Sequence, residues 1–93
     1  MMRIAVRLVI QGRVQGVGFR AWTAHQARRR NIAGWVRNCR DGSVEALIVG
    51  EISDVESMIE ACRLGPALAE VSAVLRESAS DEGEIGFEQR PTA

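Results

Sequence analysis

Ninety-three residues are enough for one small domain and leave no room for a second core. A hydrophobic share of 46% suits a folded globule, and twelve basic residues balance twelve acidic ones, for a formal net charge of zero. That balance removes any global polyelectrolyte attraction to nucleic acid or an anionic membrane, although every cation is an arginine and the first acid is Asp41.

In chain order, Arg3 to Ile10 alternates, with Ile4, Val6, Leu8 and Ile10 on one face. That period of two predicts a half-buried strand. A glycine-rich stretch follows, Gly12-Arg13-Val14-Gln15-Gly16-Val17-Gly18-Phe19-Arg20. From about Phe19 to Arg30 the chain reads as a helix, with Phe19, Trp22, Thr23, Gln26 and Ala27 near one face. Arg28, Arg29 and Arg30 suit the negative end of its dipole, and Asn31 suits a left-handed cap. Both Trp22 and Trp35 are expected in the core.

Gly34 to Cys39 and Ser43 to Val49 read as two further strands. The Arg40-Asp41-Gly42 turn between them predicts an antiparallel hairpin. Ser53 and Glu56 have the spacing of a capping box at the start of a second helix. Val55, Met58, Ile59 and Cys62 then recur at i, i+3, i+4 and i+7, an apolar stripe. Gly65-Pro66 should stop that helix. Val71, Ala73 and Leu75 mark a fourth strand, 78 to 84 a polar loop, and Ile85 to Arg90 a short last strand.

The order β-α-β-β-α-β plus a terminal strand is that of an α+β, ferredoxin-like split βαβ unit, with two helices on one face of a mostly antiparallel sheet. In that arrangement the first and second strands run parallel with the third between them. Their C-terminal ends then share one edge, about 10 Å apart. The glycine loop with Arg20 leaves one of those strands, and Asn38 lies near the end of the other.

Three glycines within seven positions let backbone amides crowd around one point. Such amides form a concave anion nest, reinforced by the helix N-terminus behind it. Arg20 adds a planar donor fork suited to phosphate or carboxylate. The segment Gly16 to Ala21 also matches the dinucleotide pattern G-x-G-x-x-G/A, but a chain of this length cannot supply the further parallel units that such a fold needs. An RNA-recognition fold would share the element order, yet its aromatic motif belongs on the third strand, where Ser43 to Val49 carries no aromatic residue.

Cys39 and Cys62 have neither CxxC nor metal-ligand spacing, and are read as free thiols of a cytoplasmic protein. No signal peptide or membrane span is expected, because Ile4 to Ile10 is short and interrupted by Arg7. His25 has no triad partners, and Arg28 to Arg30 read as a solvated helix end.

Gly12 to Arg20 followed by Gly34-Trp35-Val36-Arg37-Asn38 resembles the acylphosphatase family. Asp41 to Ala46, Gly65-Pro66-Ala67 and the segment from Phe87 to Thr92 are also similar to it. The resemblance implies hydrolysis of acyl phosphates to a carboxylate and inorganic phosphate. By analogy, Arg20 and the backbone amides of Gln15, Gly16, Val17, Gly18 and Phe19 would bind the phosphoryl group, or free phosphate. The Asn38 carboxamide would orient the attacking water, and the substrate itself would accept a proton from it. No metal, cofactor or covalent intermediate is implied, nor any nucleic-acid or membrane partner, and a monomer is expected. Ala21 stands where a larger residue is frequent in the family, which could alter packing beneath the loop. The alternatives are an RNA- or small-molecule-binding module of the same fold without catalysis, and a relative of the acylphosphatase-like domain of hydrogenase-maturation carbamoyltransferases.

Overall fold

A computed structural model describes residues 2–93. The elements are β1 (Arg3–Arg13), α1 (Phe19–Arg29), β2 (Ala33–Asn38), β3 (Val44–Glu51), α2 (Ile52–Leu64), β4 (Glu70–Ala79) and β5 (Phe87–Gln89). They form one five-stranded sheet in the order β4-β1-β3-β2-β5. Both β1 and β2 pair antiparallel with β3, so they run parallel to each other, while β5 pairs parallel with β2. The fold is α+β and ferredoxin-like, as the element order implied.

The alternation in β1 sets the layers. Val6, Leu8 and Ile10 enter the main core, where they meet Val44, Ala46 and Ile48 of β3 and Val36 of β2. The α2 stripe of Val55, Met58, Ile59 and Cys62 is buried in that same cluster, as are Phe19, Ala24 and Ala27 of α1. Both helices therefore cover one face of the sheet. Burial pushes the Cys62 thiol up to about 12, which keeps it protonated and unreactive. No helix of the described residues is long and apolar enough to cross a membrane.

The helix ends are closed by backbone chemistry. Asn31 has φ 56 and donates to Arg28 O, while Ile32 donates to Ala27 O at 2.9 Å. This is the Schellman pattern, with asparagine in the left-handed position. Gly65 caps α2 with φ 68. The Ser53–Glu56 capping box, however, does not form. The N-cap is Glu51, because β3 runs directly into α2, and no side chain caps it. Ser53 thus falls inside the first turn, and Glu56 pairs instead with Arg76, at 2.9 and 2.8 Å.

Other expectations shift for reasons of sheet geometry. Strand β4 begins at Glu70 and runs through Ser78 to Ala79, into the expected loop, because β1 is long enough to pair with it. Its alternation does not put Val71, Ala73 and Leu75 on one face. The register slips opposite Gln11 and Gly12, so that Ser72 is bulged out and the phase resets. Val71 and Val74 pack on the core and Leu75 is exposed. The slip requires a glycine on β1: a Cβ on Gly12 would lie 2.1 Å from Glu70 O. The last strand shortens to Phe87–Gln89.

The open face of the sheet holds a second cluster, Ala5, Ala33, Leu47 and Val49. Trp22 does pack on the main core, edge-on to Phe19 with ring centroids 5.3 Å apart. Trp35, in contrast, lies on the open face, one residue out of phase with the inward Val36. Its ring centroid is 4.7 Å from the Arg37 guanidinium and 4.9 Å from that of Arg90. Glu45 is buried beside it, bonded to Arg7 and, at 2.7 Å, to Arg37.

Burial pushes the Glu45 carboxyl up, but hydrogen bonds and charge from Arg37 and Arg7 outweigh it and hold the pKa below its ordinary value. A depressed carboxyl pKa stabilises the fold above the unfolded-state value, about 4.3, and that contribution is lost as pH falls through the folded one. Glu45→Gln should therefore cost about 1–2 kcal/mol at pH 7, moderate because both arginines retain water. In urea titrations the gap from wild type should shrink below about pH 4, and a gap independent of pH would contradict this reading.

Candidate active site

The glycine loop joins the end of β1 to α1 across the top of β3. Gly16 and Gly18 have φ 73 and φ 78, and a Cβ on either would meet nothing within 4 Å. What these positions require of glycine is the left-handed backbone, not relief from a clash. Gly18 is the N-cap of α1, without a side-chain cap, and no acid stands in the first turn. None of the amides from Gln15 to Ala21 finds an acceptor among the described residues. Unbonded amides at a helix start are donors held ready for an anion.

Arg20 is half-buried and makes no ion pair or hydrogen bond with the described residues. Its neighbours in sequence behave differently: Arg13 pairs with Glu70 and Arg28 donates to Phe87 O at 2.8 Å. Asn38 ends β2, opposite Val44. Its backbone is fastened on the far side by Ala93, whose amide donates to Asn38 O at 3.0 Å, while Arg40 N donates to Ala93 O at 2.9 Å. The hairpin beyond is stiffened by Asp41, whose carboxylate accepts from Ser43 N at 2.9 Å and Ser43 Oγ at 2.6 Å. Asp41 is thus turn chemistry, and those bonds lower its pKa, the Ser43 hydroxyl bond most.

These segments enclose a pocket of about 170 Å³ lined by Val14, Gly16, Gly18, Phe19, Arg20, Ala21, Asn38 and Gln89. That is small beside the roughly 300–1,000 Å³ of pockets that enclose drug-sized ligands. Arg20 is its only charged side chain. Of the residues expected to carry the chemistry, Gly16, Gly18, Phe19, Arg20 and Asn38 line this pocket, while Gln15 and Val17 do not. Val17 packs against the core. Ala21 is exposed at the rim, not beneath the loop.

The Gln15 side chain has a task that its sequence position did not announce. Its Nε2 donates to Cys39 O at 2.7 Å and to Ser43 O at 2.8 Å, tying the glycine loop to the hairpin that follows Asn38. Gln89 was likewise not singled out by sequence. A larger pocket of about 440 Å³ lies at the opposite end of β2, lined by Arg3 and Arg28 among others. Both of those arginines are already committed to protein acceptors, Arg3 to Asp81 and Glu84 O and Arg28 to Phe87 O. Among the described residues no three His, Cys, Asp or Glu side chains gather as a metal ion would require.

The acylphosphatase family model matches residues 6–89, which include the loop, Asn38 and the last strand. The chain belongs to the acylphosphatase family. It is 49% identical over 89 residues to an acylphosphatase of Acidiphilium cryptum, covering 96% of this chain and 98% of that one. It is 58% identical over 78 residues to an acylphosphatase of Rhizobium etli, covering 84% and 83% of the two chains. The crystal structure of the acylphosphatase from Bacillus subtilis superposes with a TM-score of 0.91 at 38% identity, covering 96% and 99%. Full-length HypF contains a similar unit, with a TM-score of 0.91 at 26% identity, but this chain spans only 12% of it. As an acylphosphatase the protein is a hydrolase.

Proposed function

We propose that this acylphosphatase hydrolyses the carboxyl-phosphate bond of small acyl phosphates in the pocket between the glycine loop and the end of β2. One observation carries the reading: Arg20 and Asn38, neither with a side-chain partner among the described residues, line one pocket beneath unbonded amides. In this reading the amides and Arg20 hold the phosphoryl oxygens, and the Asn38 carboxamide holds the water.

An acyl phosphate is a mixed anhydride with a good leaving group, so positioning and charge stabilisation suffice. The water oxygen bonds to phosphorus, and the bond from phosphorus to the acyl oxygen breaks. The electron pair leaves with the carboxylate. Both water protons remain on the product phosphate, one of them passed to a phosphoryl oxygen: R–CO–OPO₃²⁻ + H₂O → R–COO⁻ + H₂PO₄⁻. No separate general base is needed, in keeping with a pocket lining that has neither histidine nor carboxylate.

Steady-state assay of the purified protein on benzoyl phosphate, with inorganic phosphate as competitor, tests the proposal. Saturable release of benzoate and phosphate, competitively inhibited by phosphate, is expected. Hydrolysis no faster than the spontaneous rate would refute it. A nucleic-acid-binding module is disfavoured because the open face presents one aromatic ring, Trp35, already stacked by Arg37 and Arg90.

A further inference from the structure

Resting on the roles proposed above for Arg20 and Asn38, we infer that Gln89 is a second ligand of the attacking water, holding it together with Asn38. Strand β5 pairs parallel with β2, with Phe87 opposite Gly34 and Gln89 opposite Val36. Phe87 and Val36 both enter the core under the helices. By the period of two, Gln89 and Asn38 project to that same side. They leave the sheet where it meets the start of α1, and both line the pocket that holds Arg20.

Asn38 is two residues beyond Val36, which makes Gln89 its diagonal neighbour on the adjacent strand. Diagonal neighbours sit about 7–8 Å apart, within reach of long side chains. Two carboxamides that share one water place their polar atoms about 4.5 Å apart, since two hydrogen bonds of ~2.8 Å meet at the water's tetrahedral angle. Glutamine, one methylene longer than asparagine, can span the remaining distance. Its side chain is exposed at the pocket mouth and makes no hydrogen bond with the described residues, which leaves the carboxamide free to hold a water there.

The chemistry favours two holders over one. A single hydrogen bond leaves a water free to swing about it, whereas in-line attack needs one lone pair aimed at phosphorus. With Asn38 Oδ1 accepting one O–H and a phosphoryl oxygen the other, the remaining lone pair is free to accept from Gln89 Nε2–H. The water is then fixed at every vertex. Bond making and breaking are those written above, and Gln89 neither gains nor loses a proton.

The test is a double-mutant cycle on benzoyl phosphate with Gln89→Leu and Asn38→Ala, read as kcat and as the inhibition constant for inorganic phosphate. Gln89→Leu alone should lower kcat about 5- to 10-fold, the loss expected of one hydrogen bond. It should leave phosphate inhibition within about twofold, because Gln89 does not hold the phosphoryl group. On the Asn38→Ala background the same change should cost less than about twofold, since the water is already loose. A merely structural glutamine would lose the same factor on both backgrounds, and that additivity would overturn the inference. So would an unchanged kcat in Gln89→Leu. Normal turnover in Asn38→Ala would instead bring down the parent proposal, a distinguishable result.

Discussion

Arg20→Ala should lower kcat/KM for benzoyl phosphate by at least ~10²-fold, the cost of losing a preorganised charged donor at a transferring phosphoryl group. Arg20 is the only charge in its pocket, so no neighbour can replace it. It bonds to no described protein group, so its removal leaves no orphaned partner and should not unfold the chain. Phosphate inhibition should weaken alongside kcat/KM, because the same donors meet product and transition state. Arg20→Lys should recover only part of the loss, since an ammonium cannot present the planar fork. Near-normal turnover of benzoyl phosphate by Arg20→Ala would end the role assigned to Arg20.

Asn38→Ala should separate binding from turnover. Its kcat should fall by about 10²-fold, the scale seen when one polar group aligning a reacting atom is removed. The inhibition constant for inorganic phosphate should hardly move. The backbone at this position is secured independently, by pairing to Val44 and by the amide of Ala93, so truncating the side chain spares the strand end. Equal losses in kcat and in phosphate binding would mark Asn38 as structural instead.

Features legible in the sequence are those whose cause lies within a few residues. The α2 stripe follows from a helical period that repeats within the helix itself, and all four of its residues are buried. The Asp41-Gly42 turn follows from an aspartate that bonds two residues ahead. The left-handed Asn31 follows from a side chain that tolerates that backbone. The capping box failed because the N-cap was set by where β3 ended, not by Ser53. The β4 alternation failed because its phase depends on a bulge opposite Gly12, nearly sixty residues earlier in the chain.

The same division runs through the site. Glycines at 16 and 18, an arginine entering the helix, and an asparagine ending a strand are local facts, and each states its chemistry alone. By itself the sequence determined the left-handed glycines and unbonded amides on which the proposed phosphate site rests, because positive φ and free amides are properties of short backbone segments. Only the tertiary structure decided which side chains share the pocket. Gln89 reaches it through the parallel pairing of β5 with β2, and Gln15 turns its side chain away to hold the hairpin. Such placements arise from sheet order and register, which are set by the burial of two helices against apolar residues of all five strands at once, and no short stretch of chain contains them.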